Sequence, residues 1–191
     1  MNPAEVMEVL EKRGAVLRGH FRLSSGRHSD VFVQKFRIFE HPRLTQRFGE
    51  EIARLFDETF DVVASPAVGA IALGFAAGLA ADKRFVFAER VDDNLSFRRG
   101  FELAPRERTL VVEDVVTTGG SAAEVVDLVR AAGGDPIGVG VLLDRSEAAR
   151  PPDIGAPLRS LVRLEAETWP PQECPLCRDG LPLDDPGSRR L

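Results

Sequence analysis

Lysine and cysteine are scarce in this 191-residue chain, tyrosine is absent, and several larger features are missing altogether. Lysine occurs only at Lys12, Lys35 and Lys83, so arginine carries nearly all the positive charge. Acids outnumber bases, for a formal net charge of -5, and the chain therefore lacks the basic surface that a nucleic-acid backbone demands. A small anion in a local basic pocket is still compatible with this balance. Arginine suits such a ligand because it stays charged and grips phosphate or carboxylate with a bidentate fork, although a genome that favours arginine codons explains the bias equally well. No basic segment followed by an apolar run opens the chain. Met1 to Leu10 instead carries Glu5 and Glu8, which argues against a secretory signal and leads us to expect a cytoplasmic protein. A membrane span is not expected either. The longest weakly polar stretch, Val62 to Ala81, contains Pro66, is rich in alanine and glycine, and lies between Asp61 and Asp82; it fits a strand, a tight turn and a helix better. The only cysteines form one Cys174-Pro175-Leu176-Cys177 unit. That is half of a tetrahedral zinc site, which would need histidines or a symmetry-related chain to close it; the alternative is a reduced pair in an ordered tail. Repeats and low-complexity tracts are also absent.

What is present reads as one folded domain. Hydrophobic residues make up 43% and charged residues 29%, close to globular averages, and a chain of this length buries about two thirds of its unfolded surface. Short apolar runs at Asp61 to Ser65, Arg84 to Ala88, Thr109 to Asp114 and Ile137 to Leu143 show little alternation, as expected of strands covered on both faces. Helical patterns separate them, from Pro3 to about Lys12, Pro42 to about Phe56, Ala70 to about Ala81 and Ser121 to about Ala132, the last stopped by Gly133-Gly134. The fold class is α/β, with a central, mainly parallel sheet flanked by helices. Glu89 to Gly100 is polar and poorly periodic, which predicts a loop or hairpin long enough to act as a flap. After Pro151 the chain turns rich in proline and glycine, and we expect an irregular tail with one short strand around Leu161 to Leu164.

The most informative stretch is Leu110-Val111-Val112-Glu113-Asp114-Val115-Val116-Thr117-Thr118-Gly119-Gly120-Ser121. A buried strand ends in two adjacent acids, and a loop of hydroxyls and glycines then opens a helix. Backbone N–H groups at a helix N-terminus, with the positive end of its dipole behind them, make an anion site. Two acids beside a phosphate would repel it unless they face something else, such as sugar hydroxyls or a metal. Together these features describe a ribose 5-phosphate. No Walker lysine follows the glycines, which excludes a P-loop; an acid-capped turn in another doubly wound protein is the alternative.

This stretch resembles the binding signature for phosphoribosyl pyrophosphate (PRPP) in type I phosphoribosyltransferases. Further segments resemble the orotate phosphoribosyltransferases. Phe21-Arg22-Leu23-Ser24-Ser25-Gly26-Arg27-His28-Ser29-Asp30 is similar to that family's hood, and Ser65-Pro66-Ala67-Val68-Gly69-Ala70-Ile71 to its pyrophosphate loop. Asp144-Arg145-Ser146-Glu147 is similar to its segment after a strand, and Cys174 to Cys177 through Pro186-Gly187-Ser188-Arg189 to tails in a subset of members. The chain departs from the family at Ser24 and Gly69, where many members have lysine, and in the flap, where the usual cations are missing and Arg90, Arg98 and Arg99 are the replacements on offer. For Arg98 and Arg99 the alternative is a solvated hairpin edge.

The resemblance implies a small hood, about residues 1–40 with a tail of about 151–191, on a core of about 41–150, and a mobile flap. It implies transfer of the phosphoribosyl group from PRPP to orotate, with Mg²⁺ as cofactor held mainly by ligand oxygens. Glu113, Asp114 and Arg90 would be catalytic, the two acids holding ribose hydroxyls directly or through metal-bound water. Val115, Val116, Thr117, Thr118, Gly119, Gly120 and Ser121 would bind the 5-phosphate, and Ala67, Val68 and Gly69 would offer N–H groups to pyrophosphate. Ser25, Gly26, Lys35 and Arg145 complete the expected substrate contacts. Arg145 would meet the carboxylate of the base, the alternative being an ion pair with Asp144 or Glu147; His28 is either a pocket residue or structural. We expect the Ala67-Val68 peptide to be strained or cis, as in related enzymes, against an ordinary trans turn with Gly69 at positive φ. A flap that reaches a neighbouring subunit implies a homodimer. The rivals are a phosphoribosyltransferase for a purine or uracil, and a non-catalytic regulator that senses PRPP or nucleotide.

Overall fold

The computed structural model describes residues 1–23, 25–56, 60–92, 94–146 and 152–186. Helix α1 (Pro3–Lys12) begins at a capping box, in which Asn2 accepts from the Glu5 N–H and the Glu5 carboxylate accepts from the Asn2 N–H. Its Val6 and Leu10 lie one turn apart and are buried, so the helix seals the core with a single stripe. Strands β1 (Val16–Arg22) and β2 (His28–Val33) then form an antiparallel hairpin. A four-residue helix, α2 (Phe36–Phe39), leads from it to α3 (Pro42–Arg54).

The main sheet contains β3 (Val62–Pro66), β4 (Arg84–Val91), β5 (Asn94–Phe97), β6 (Arg108–Val116), β7 (Asp135–Asp144) and β8 (Leu158–Arg163), in the order β5-β4-β3-β6-β7-β8. Every neighbouring pair is parallel except the β4–β5 hairpin. Successive side chains point to opposite faces of a strand, and the core divides accordingly. Val63, Leu110 and Val112 join the cluster that holds Phe48 and Ile52 of α3 with Leu73 and Ala77 of α4 (Ile71–Ala81). Val62, Ala64 and Val111 join Val125, Val126 and Val129 of α5 (Gly120–Ala131) on the other face. Both faces are apolar, which is why these strands read as unbroken hydrophobic runs. The four expected helices are all present, within two residues of their expected ends.

The tail differs from expectation. Its strand is longer than foreseen and lies at the edge of the main sheet, paired in parallel with β7. Beyond it, β9 (Thr168–Trp169) pairs with β2, giving a hood sheet ordered β1-β2-β9. A 3₁₀ turn (Pro171–Glu173) and the short helix α6 (Pro175–Arg178) follow. Proline at the start of each short helix, where its missing N–H costs nothing, explains how so proline-rich a segment acquires regular structure. The Glu89 to Gly100 segment takes the hairpin alternative, with Arg90 opposite Leu95 and Val91 opposite Asn94. Among the described residues no helix is long and apolar enough to cross a membrane.

Strand order places the site. From β3 the chain moves outward to β4 and β5, then returns to lay β6 on the opposite side of β3. The order reverses between β3 and β6, and the loops leaving their carboxyl ends part there to leave a crevice. The loop after β3 and the loop after β6 flank that crevice.

Close contact between α3 and α4 holds the first face together. A Cβ on Gly49 would lie 2.5 Å from the Ala76 carbonyl carbon and 2.6 Å from the Ala77 nitrogen, both backbone atoms. Gly49→Ala gains about 1 kcal/mol in helix propensity but must force the two helices apart. We expect a net loss of roughly 1–3 kcal/mol from overpacking, read as a lower urea midpoint with unchanged slope. An equal or higher midpoint would show that the helices separate freely.

Candidate active site

β6 ends in the two acids, Glu113 at 7% and Asp114 at 1% exposure. The backbone turns back onto both carboxylates: Asp114 N–H donates to Glu113 Oε1 at 3.0 Å, and Val115 N–H donates to Asp114 Oδ1 at 2.6 Å. Burial, reinforced by the adjacent Asp114 charge, pushes the Glu113 carboxyl up to about 8. Past the acids, Gly119 caps α5 at φ +78, a left-handed conformation suited to glycine. The space beside its Cα is also filled, because a Cβ would lie 2.8 Å from Pro152 Cβ. No side chain caps α5, so the positive end of its dipole and its first N–H groups face an open cavity of about 70 Å³. Thr117, Thr118, Gly120 and Ser121 line this cavity and are exposed to it. Val115 and Val116 also line it, but the Val115 N–H is held by Asp114 and the Val116 carbonyl accepts from the Arg145 N–H at 2.7 Å. The Val115 N–H is thereby committed within the chain, while Val116 is tied to the strand end through its carbonyl.

The loop after β3 approaches from the other side of the crevice. The Ala67-Val68 peptide is cis, the first of the two expected alternatives, and Gly69 is not at positive φ. One expectation needs correction. The Ala67 N–H donates to the Ala88 carbonyl of β4 at 2.7 Å, which removes it as a donor to an anion and leaves the N–H groups of Val68 and Gly69. Position 69 is crowded by side-chain ends: a Cβ there would lie 2.4 Å from both Asp114 Oδ2 and Lys35 Nζ, so any larger residue must displace the lysine tip. Lys35, just after β2, reaches into the crevice and straddles the Asp114 carboxylate. Its Nζ donates to Oδ1 at 2.9 Å and forms an ion pair with Oδ2 at 2.7 Å. The ammonium therefore occupies the space that a side chain at position 69 would claim.

Arg145 leaves the carboxyl end of β7 beside the cradle. Its Nε is buried without a hydrogen-bond partner, as is Asp30 Oδ1; burial lowers the guanidinium pKa, and the nearby Asp30 charge opposes that. The ion pair with Asp144 is not formed, since Asp144 accepts from the Ser146 N–H at 2.8 Å and faces Arg163 at 3.9 Å. Glu147 lies outside the described residues, as do Ser24, Asp93, Pro151 and the Gly187 to Arg189 stretch. Arg90 sits on β4 with its guanidinium 3.1 Å from Glu124 of α5. Arg99 pairs with Glu89 at 2.8 Å across the exposed hairpin, the solvated-edge alternative. Ser25 and Gly26 form the tip of the β1–β2 hairpin. The length of β2, roughly 17 Å at strand rise, separates that tip from Lys35, and the structure does not bring the two together. His28 is turned toward His20 and Cys177, which favours its structural alternative over a place in the base pocket.

A model of the phosphoribosyl transferase domain matches residues 37–158, which span the crevice, both loops and Arg145. Over its full length the chain is 47% identical to the orotate phosphoribosyltransferase of Caldanaerobacter subterraneus subsp. tengcongensis, and it covers all of that protein as well. The chain belongs to the orotate phosphoribosyltransferase family. Solved family members have the same architecture. The Aeropyrum pernix enzyme superposes with a TM-score of 0.69 at 28% identity, over 83% of this chain and 93% of that one. The Mycobacterium tuberculosis enzyme, solved in complex with PRPP, gives 0.64 at 29% identity, over 85% and 96%.

The raised Glu113 pKa has a defined consequence for stability. The folded state holds the proton up to about 8, against an ordinary value of 4.5. This contribution is therefore fully present below 4.5 and is lost as pH rises through about 8. Glu113→Gln should match the parent in urea midpoint near pH ~5 and exceed it near pH ~9, where the parent must hold a buried carboxylate beside Asp114. Parallel midpoints across that range would mean that Glu113 ionises normally.

Proposed function

We propose that this protein transfers the 5-phosphoribosyl group of PRPP to orotate, giving orotidine 5′-monophosphate and pyrophosphate. The observation that carries this reading is a cluster of unlike charges at one switch point: an uncapped helix N-terminus, two buried acids and a partly buried arginine whose Nε lacks an acceptor. In this reading residues 117–121 hold the 5-phosphate through backbone N–H groups and hydroxyls. Glu113 and Asp114 face the ribose hydroxyls. Val68 and Gly69 offer N–H groups to the pyrophosphate, and Lys35 supplies the nearby positive charge that a loop lysine would provide.

Orotate N1 attacks ribose C1 as the bond from C1 to the pyrophosphate oxygen breaks. Positive charge then develops on the ribose ring and negative charge on the leaving group, so fixed charges matched to those positions lower the barrier. Asp114, ion-paired with Lys35, would face the developing ring charge in this reading. The oxygens of the two acids suit Mg²⁺, a hard cation that prefers oxygen donors and keeps several waters. Because Lys35 already straddles Asp114, Glu113 and Asp114 would hold the ion through water, with ligand oxygens as the direct donors. When bound, the ion would neutralise charge on the pyrophosphate and fix its orientation.

The β4–β5 hairpin is the flap in this reading. Closure would exclude water from PRPP and let Arg90 exchange Glu124 for a leaving-group oxygen. A homodimer is part of the proposal, supported by Phe75 and Leu79, which lie one turn apart on α4 and are 57% and 58% exposed. We place its action in the cytoplasm.

Pyrophosphate release measured with a panel of bases tests the reaction: orotate should turn over, while uracil, adenine and hypoxanthine should not. Arg145→Ala should raise the KM for orotate by about 10- to 100-fold, the equivalent of a charge-assisted hydrogen bond of about 1.5–3 kcal/mol, and leave the KM for PRPP within about twofold. Equal weakening of both substrates would remove Arg145 from the base pocket.

A further inference from the structure

The hood and the tail meet at a second cluster of reactive side chains, which the transfer reaction does not use. His20 comes from β1, His28 opens β2, Cys174 precedes α6 and Cys177 lies within it. One donor atom from each falls within 4.8 Å of all the others. His20 Nε2 is 3.0 Å from His28 Nδ1, while the sulfur-to-nitrogen separations are 3.5 Å from Cys174 and 3.7 Å from Cys177 to His20, and 3.3 Å from Cys177 to His28. A zinc ion with bonds of roughly 2.0–2.1 Å to nitrogen and 2.3 Å to sulfur defines a tetrahedron with edges of roughly 3.3 Å between nitrogens and 3.6 Å between nitrogen and sulfur. These four separations are close to those dimensions, and all donors lie within 4.8 Å of one another.

Three further observations favour a metal over a simple hydrogen-bonded group. His20 Nδ1 lies 2.9 Å from the Leu181 carbonyl; it can donate there only as the N–H tautomer, which turns the Nε2 lone pair into the cluster. Backbone anchoring of the distal nitrogen is how metal-binding histidines are held. Both cysteines are free, so no disulfide competes for the sulfurs. The tail also has little else to order it: between residues 171 and 186 only Cys174 is buried, and Leu181 and Leu183 are 43% and 41% exposed. Further ties include the backbone bonds of Asp184 to His20 and Arg22 and the ion pair of Arg22 with Asp185. A 3₁₀ turn and a four-residue helix anchored by so little buried surface gain order from a metal staple.

We propose that His20, His28, Cys174 and Cys177 bind one zinc ion per chain and pin the tail to the hood. Two thiolates and two imidazoles select zinc among common divalent ions. Four protein ligands leave no open position, so the site is structural.

Metal analysis of the purified full-length protein tests this directly, without reference to its enzymatic activity. One equivalent of zinc is expected, removable by a chelator and restored by zinc alone. Replacement with Co²⁺ should give the visible bands of a tetrahedral ion together with thiolate charge transfer. Cys177→Ser changes an exposed residue outside the core and should abolish stoichiometric zinc while leaving the urea midpoint of the main domain nearly unchanged; His28→Ala serves as the second variant. In both variants, trypsin should cut after Arg178 much faster than in the zinc-loaded parent. Substoichiometric zinc in the parent after reloading, full zinc retained by both variants, a Co²⁺ spectrum of an octahedral ion, or a Cys174–Cys177 disulfide that forms in the presence of zinc would each overturn the proposal.

Discussion

The ion pair of Lys35 with Asp114 is the contact on which the site depends. Two adjacent acids at the end of a buried strand are unfavourable in a medium of low polarisability, because each loses hydration and repels the other. The structure resolves this in two ways at once. Lys35 straddles Asp114 and gives it an ion-pair partner, and Glu113 keeps its proton to about 8 because it is buried beside Asp114. Removing one partner of such a buried pair would leave an uncompensated charge. The pair joins the hood, which supplies Lys35, to the main sheet, which supplies Asp114. Gly69 is the third element at this point, since the loop after β3 passes close to both charged groups.

Sheet topology makes that meeting possible. Had β6 been laid beyond β4 and not beside β3, the two loops would have left the sheet on the same side of a continuous layer of helices. The reversal of order between β3 and β6 parts α4 from α5 and opens the crevice at the carboxyl ends of the strands. The same reversal brings β7 next to β6, so that Arg145 follows its strand to the rim of the cradle. A parallel sheet covered on both faces thus supplies rigidity, while the residues with unmet hydrogen-bonding or ionic needs collect where the cover is incomplete.

The hood is built on a different principle. It has three strands, one of them only two residues long, and cannot bury enough apolar surface to fix its own position. It is held by burying Val16 and Val31 in the main core beside Val6 and Leu10 of α1, and by polar ties to the tail, among them Arg27 to Thr168 and Ser29 to the Glu167 carbonyl. Lys35 is the point at which this layer enters the chemistry of the crevice, so the geometry of the acids depends on how the hood is packed.

The phosphate cradle was legible in the sequence because all its parts are contiguous: a buried strand, two acids, hydroxyls, glycines and a helix follow within twelve residues, and local backbone geometry alone brings them together. The parallel sheet was legible for a related reason, as burial on both faces leaves unbroken apolar runs. The hood strands were harder to read. In β1 a register shift between Arg18 and Phe21 turns the consecutive residues His20 and Phe21 both inward, and a bulge of that kind erases the alternation by which a strand is recognised. Half of the cysteine cluster could be read from its spacing, but its histidines could not, because they reach the cysteines through the packing of β1 and β2 against a tail some 150 residues away in the chain. Tertiary structure also decided that Ala67 gives its N–H to β4, that Arg90 faces Glu124, and that Lys35 stands against Gly69. Each of these depends on which side chains share a space. Sequence spacing determines local backbone geometry and burial pattern, but competition for one volume or one hydrogen bond is settled only when distant segments have been packed together.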